Sequence, residues 1–231
     1  MGADTSAALG VSEVSGKVAA DDPGVIDLFA VLAYGEISAF YRLAEEAKLS
    51  PTLRGKVAVA KMAGAEMDHF TTLEQALAAR GVDVFDAMAP FVRALDAYHA
   101  STDPSTWLES MVKFYVGDGI AADFYTEIAD ALAPEVSEVV RDVLAETSHS
   151  EFVVEEVRTA VAQNRSERDR LTLWGRRLLG EAITQAQYVM AQRDELTDLV
   201  LTATGDLNGI ATLFERMQNS HTERMTVLGL G

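Results

Sequence analysis

Glutamate and histidine stand three residues apart twice in this chain: Glu66 with His69, and Glu146 with His149. On an α-helix, positions i and i+3 point the same way about one turn apart, so each pair can address a single ion. Each pair also has an acid upstream. Glu36 precedes Glu66 by 30 residues, and Asp118 precedes Glu146 by 28. An antiparallel helix pair with a short turn brings such positions to the same height. Four carboxylates and two imidazoles would then converge on one centre: Glu36, Glu66, His69, Asp118, Glu146 and His149.

Those residue types suit a pair of metal ions. Two cations held close together repel, and bridging carboxylates cancel that charge. Neutral imidazole suits iron and manganese without over-neutralising the site. We expect Glu66 and Glu146 to bridge, with Glu36 and His69 completing one metal and Asp118 and His149 the other. This ligand set is that of di-iron and di-manganese carboxylate bundles. A lone Glu-x-x-His is usually an exposed polar pair. Here two of the chain's four histidines sit in the motif, each with a matching acid. His99 and His221 lack that setting and are expected to be surface or minor structural residues.

The least constrained ligand is the acid before Glu146, where Asp118, Asp123 and Glu127 compete. Asp118 shares a helical face with Tyr115, Ala122, Tyr125 and Ala129. Asp123 lies about 140° around the helix and Glu127 about 180°. Gly117 and Gly119 flank Asp118 and weaken a helix by about 1 kcal/mol each relative to alanine. Close approach of another element, or room for a substrate, would explain them. Tyr34, Tyr41, Tyr115 and Tyr125 lie near the ligands in sequence. They either pack in the core or donate hydrogen bonds to the ligands and line a pocket.

The elements that must position these residues are helices. Asp22-Pro23, Ser50-Pro51 and Asp103-Pro104 each place a capping side chain before a proline at a helix start. The first helix is predicted from about Pro23 to Lys48, with Ile26, Phe29, Leu32, Phe40 and Leu43 at helical spacing. The second runs from about Pro51 to Arg80 and stops at Gly81. A connection over 81–103 contains a short helix around Phe85, Met88, Phe91 and Leu95. The third helix runs from about Pro104 to Leu132. Ala133-Pro134 breaks the chain, and the fourth continues to about Asn164. The two hairpins echo each other: Tyr34 to Tyr41 resembles Val116 to Tyr125, and Ala65 to Phe70 resembles Ala145 to His149. A stripe from Leu171 through Trp174, Leu178 and Val189 to Val200 gives one long further helix. Gly205-Asp206 precedes a last helix holding Leu213, Phe214, Met217 and Met225.

The chain therefore divides into a flexible tail or weakly docked arm (1–22), a four-helix bundle (23–164) and a helical extension (165–231). That extension should pack on the bundle or on a partner subunit. Two hairpins joined by one long crossover is the connectivity of ferritin-like bundles. Composition narrows the chemistry. The 231 residues include no cysteine, which excludes disulfides, thiolate-bound zinc and iron–sulfur clusters. The formal net charge of -17 opposes nucleic-acid backbone and anionic lipid over most of the surface. No apolar run reaches the roughly 18 residues of a membrane span. The start of the chain lacks a charged-then-apolar pattern, so no signal peptide is expected. We expect a cytoplasmic protein without membrane partners.

On these residues the segment from about Val25 to Val161 resembles the ferritin-like superfamily. Within it, the chain looks most like the tRNA 2-methylthio-isopentenyladenosine hydroxylase-like group. Glu36, Glu66, His69, Glu146 and His149 match the superfamily pattern, and Asp118 stands where that pattern has glutamate. The resemblance implies an all-α, ferritin-like four-helix bundle; the two additional C-terminal helices, read from periodicity, lie outside the part it covers. It also implies two iron ions, with manganese as the alternative, and dioxygen-dependent hydroxylation. A small molecule or modified nucleoside would be the substrate and a reductase the electron donor; a homodimer is compatible. Competing readings are a ferroxidase or iron store, a di-manganese peroxide scavenger, and a non-enzymatic helical interaction protein.

Overall fold

The computed structural model describes residues 17–145 and 150–231 and is all-α. Among the described residues there are nine α-helices and no strand longer than a single bridge. Helix α1 (Pro23–Glu46) passes through a 3-10 turn (Ala47–Leu49) into α2 (Leu53–Ala78). Then come α3 (Val84–Ser101), α4 (Trp107–Ala129), α5 (Pro134–Val143) and α6 (Ser150–Gln163). The extension holds α7 (Arg165–Gln192), α8 (Asp194–Thr204) and α9 (Leu207–Val227).

Local chemistry sets the helix starts. Asp22 caps α1, accepting from the Gly24 N–H at 2.8 Å, and Pro23 takes the first helical position. The other two predicted proline starts shift downstream. Thr52 caps α2 through the Gly55 N–H, and Thr106 caps α4 through the Glu109 N–H at 3.3 Å. The Glu109 carboxylate in turn accepts from the Ser105 N–H at 2.6 Å. A threonine with glutamate three residues on is a capping-box signal, and here it outweighs the nearby proline. Gly81 takes φ +73° just beyond α2, a conformation that L side chains rarely adopt.

The crossover holds more helix than its sequence suggested. Helix α3 spans 18 residues, and Asp83 caps it through the N–H groups of Phe85 and Asp86. It packs on α1 and α7. The long C-terminal stripe, read as one helix, is two. Arg193 breaks it with an extended backbone, φ -132° and ψ 93°. Its guanidinium forks onto buried Asp27 of α1 at 2.9 and 2.6 Å, 5.6 Å from the Phe91 ring centroid. So the extension contains three helices. The expected fourth helix contains α5 and α6, with residues 146–149 between them outside the described residues.

Two apolar cores result. One gathers Leu28, Phe29, Leu73, Leu77, Phe91 and Leu199 from α1, α2, α3 and α8. The other gathers Met62, Met111, Val116, Val157, Leu171, Leu178 and Leu213, spanning α2, α4, α6, α7 and α9. Helix α1 packs against α2, α3 and α8, while α4 packs against α5, α6, α7 and α9. The extension is therefore part of the packed body. By length and composition alone, Pro23–Leu49 passes as a membrane span, with mean hydropathy 1.4. In the fold this segment is a central helix, with 56% of its most apolar stretch buried. Within the stretch expected to be a tail, Val18 is 1% exposed and its backbone bonds to Ala131 and Ala133 at 2.9 Å; residues 1–16 lie outside the described residues.

Candidate metal centre

Glu36 sits at the middle of α1, where its neighbours along the helix change partners. Ala33, one turn before, belongs to the first core, and Leu43, two turns after, belongs to the second. Glu66 occupies the same seam on α2, between Ala63 of the second core and Phe70 of the first. His69 lies three residues on. Its Nδ1 is 3.3 Å from Glu36 Oε2 and 4.0 Å from Glu66 Oε2. One ligand atom from each of the three falls within 4.8 Å of the others, close enough to share a metal ion.

The electrostatics show the strain of placing acids here. Burial pushes the Glu36 carboxyl up to about 7, with Asp118 adding to the rise. Burial pushes Glu66 up to about 10, helped by its hydrogen bond to Glu36 and by the charges of Glu36 and Asp118. A hydrogen bond between the two carboxyls requires that one of them hold a proton. Two carboxyls in one buried place thus share a proton. A cation would do the same job with more charge, and binding would release that proton. Carboxylate and imidazole without thiolate form a donor set suited to iron or manganese.

Of the three acids competing on α4, only Asp118 reaches this place. It is exposed but lines the same cavity as Glu36 and Glu66. Asp123 pairs with Arg224 at 2.7 Å, and Glu127 pairs with Arg216 at 2.8 Å, both from α9. The glycines beside Asp118 divide in purpose. A Cβ at Gly119 would meet Arg224 Nε at 2.1 Å, so that glycine admits the α9 arginine. A Cβ at Gly117 would meet nothing closer than the Tyr98 hydroxyl at 3.9 Å, and Gly117 forms cavity wall. Glu146 and His149 lie outside the described residues.

The tyrosines separate in the same way. Tyr125 lines the cavity, and burial, then the nearby Glu36 charge, raises its hydroxyl far above the ordinary value. Tyr34 donates to Asp96 of α3 at 2.7 Å, and Tyr41, 39% exposed, donates to Ser38 at 3.3 Å. Tyr115 packs against the second core.

The cavity itself measures about 300 Å³ and is mostly apolar. Its walls come from α1, α3, α4 and, from the extension, Ala182, Gln185, Ala186, Val189 and Met190 of α7. Sequence reasoning missed its other polar lining: Arg42, Glu46, Tyr98, His99 and Lys113. A signal existed for two of them. Arg42 and Glu46 continue the face of Leu32, Glu36 and Ala39 at helical spacing. Neither remaining histidine is a surface residue. His99 Nδ1 is buried without a partner, and burial lowers the ring to about 3. His221 is 4% exposed with both ring nitrogens unpartnered, and burial lowers it to about 4.

The chain matches the family profile described as "Ferritin-like domain, actinomycetes" over residues 19–203. The match runs through α1 to α8, so it includes part of the extension. No curated protein matches the chain.

Proposed function

The chain belongs to this ferritin-like domain family, and on that premise we propose that it is a non-haem di-iron protein that uses dioxygen to hydroxylate a small apolar substrate. The observation that carries the reading is that Glu36 and Glu66, which cluster with His69, line together with Asp118 an apolar cavity of about 300 Å³. Glu36, Glu66 and His69 would hold one iron. Asp118 with the second Glu-x-x-His, Glu146 and His149, would hold the other. When bound, the iron pair would supply oxygen-activating chemistry that no side chain in this chain can supply, with an external reductase providing the two electrons that each hydroxylation consumes. The protein's own residues do the rest. Val31, Leu32, Phe114, Phe124 and Val189 exclude water and orient an apolar segment. Glu36 and Glu66 exchange a shared proton for metal charge.

The finer resemblance, to the tRNA 2-methylthio-isopentenyladenosine hydroxylase-like group, supports the reaction type. A branched hydrocarbon chain is the kind of group this cavity accommodates. The contribution of α7 to its wall favours substrate chemistry over a storage cage, because there the extension shapes a site. A di-manganese peroxide scavenger would use the same ligands, and metal identity separates the two.

The test is metal analysis of protein expressed with ample iron and purified without chelators, with the optical and Mössbauer spectra of the same sample. About two irons per chain with an oxo-bridged signature support the reading. Less than about 0.2 metal per chain would refute it. Two manganese ions with catalase activity would replace it.

A further inference from the structure

The cavity has a second polar end that the metal-centred reading leaves unused. Past Glu36, the α1 face continues through Ala39 to Arg42 and Glu46. Tyr98 and His99 arrive from α3, and Lys113 from α4. Arg42 lies six residues beyond Glu36, a rise of about 9 Å. Between the two ends the wall is Ala39 from α1 with Phe114 and Gly117 from α4.

Two polar atoms at this end are buried without a hydrogen-bond partner, Arg42 Nε and His99 Nδ1. Such groups are rare, because each has given up its bond to water for nothing. Lys113 is 7% exposed and spends one donor on the Thr102 carbonyl at 2.7 Å. Its ammonium lies 5.7 Å from the Tyr98 ring centroid. The two cations act on His99 and on each other, so they share one place. Glu46 and Asp103 are the carboxylates nearby. Among the described residues, no ion pair within 4.0 Å joins either of them to Arg42 or Lys113.

We propose that this end binds the carboxylate head group of a substrate whose apolar chain runs along the cavity to Glu36 and Glu66. Arg42 presents a planar fork that matches a carboxylate, Lys113 adds a point charge, and His99 adds one further polar atom. Glu46 and Asp103 already balance Arg42 and Lys113 in formal charge, so a carboxylate adds one uncompensated negative charge where a phosphate dianion adds two. The apolar stretch between the ends selects a hydrocarbon chain rather than a compact polar acid. The fate of that chain rests on the metal-centred reading, whereas the head-group site does not.

The test is calorimetric titration of the full-length chain with decanoate, decanol and decyl phosphate, each below its micelle concentration. Decanoate should bind at least about tenfold more tightly than decanol, and decyl phosphate more weakly than decanoate. Arg42→Gln should cost about tenfold for decanoate, leave decanol binding and metal content unchanged, and not lower the melting temperature. Arg42→Lys should fall between, keeping the charge and losing the fork. Equal binding of acid and alcohol, no effect of Arg42→Gln, or no binding at all would overturn the proposal. Tighter binding of decyl phosphate would overturn the carboxylate assignment. Decanoate binding that depends on Arg42 in a chain that takes up no metal would uphold the head-group site and sink the di-iron reading. Two irons with no decanoate binding would do the reverse.

Discussion

Replacing Glu66 by glutamine should stabilise the metal-free chain, and by an amount that grows with pH. Glu66 is 9% exposed, and its carboxyl is pushed up to about 10, first by burial and then by Glu36 and Asp118. In the unfolded chain the same group titrates near 4.5. Between those values the folded state holds a proton that the unfolded state has released. Stability from this group is therefore fully present below about 4.5 and is lost as pH rises through about 10. The slope is about 1.4 kcal/mol per pH unit for one proton. At about pH 7.5, three units above the unfolded value, the group costs the wild type roughly 4 kcal/mol; at about pH 5.5 it costs roughly 1 kcal/mol.

Glutamine keeps the volume and the hydrogen bond and cannot ionise. The gap between variant and wild type should thus widen by about 3 kcal/mol from about pH 5.5 to about pH 7.5. Urea unfolding followed by circular dichroism, with chelator present, measures it directly. Parallel stability profiles for the two proteins would refute the reasoning, and so would a wild type that gains stability over this range relative to the variant. Added iron(II) or manganese(II) should reverse the order, because the carboxylate then has a cation in place of its proton. The metal should raise the melting temperature of the wild type and leave the variant unmoved.

Asp118→Asn should lower metal content toward one ion per chain. Asp123→Asn should leave metal content unchanged but cost about 1–2 kcal/mol by weakening the hold on Arg224; elemental analysis and urea unfolding separate the two effects. Arg193→Ala leaves Asp27 buried and unpaired, and urea unfolding should register a loss of about 3–5 kcal/mol. Deleting residues 166–231 uncovers the second core around Met111, Val116 and Val157, and size-exclusion chromatography should find aggregate in place of the native species.

The helices were legible because periodicity is a local signal. Residues a few positions apart report one face, and Asp22-Pro23 marks an end without any knowledge of the fold. What was not legible depends on partners distant in the chain. Arg193 ends α7 because Asp27, buried in α1, takes its guanidinium. Nothing near residue 193 announces that, since the stripe from Leu171 to Val200 runs on unbroken. The starts at Thr52 and Thr106 were readable in principle, since Thr106 and Glu109 form a capping signal, but the prolines upstream were the louder cue. Helix α3 runs beyond the stretch its apolar residues marked, and it carries Pro90 in its interior, a residue that ordinarily breaks a helix.

The two ends of the cavity show the same distinction in their chemistry. Two ligands taken from one helix must repeat a local spacing, because only side chains about one turn apart can reach the same ion. Glu66 and His69 therefore carry a signature that survives without the fold. The head-group end has no such requirement. Arg42, His99 and Lys113 come singly from three helices, and of them only Arg42, which continues the face of Glu36 and Ala39, has a local cue. His99 and Lys113 are distinguished by burial, and α7 packs on the two helices, α3 and α4, that carry them. The extension thus decides the cavity's selectivity while contributing no charged group to its lining. If that is right, exchanging α7 residues such as Ala186 for larger apolar ones should shorten the acceptable acid without weakening metal binding. Ala186→Leu should favour octanoate over decanoate in the same titration. An unchanged preference would mean that the chain does not run beside α7.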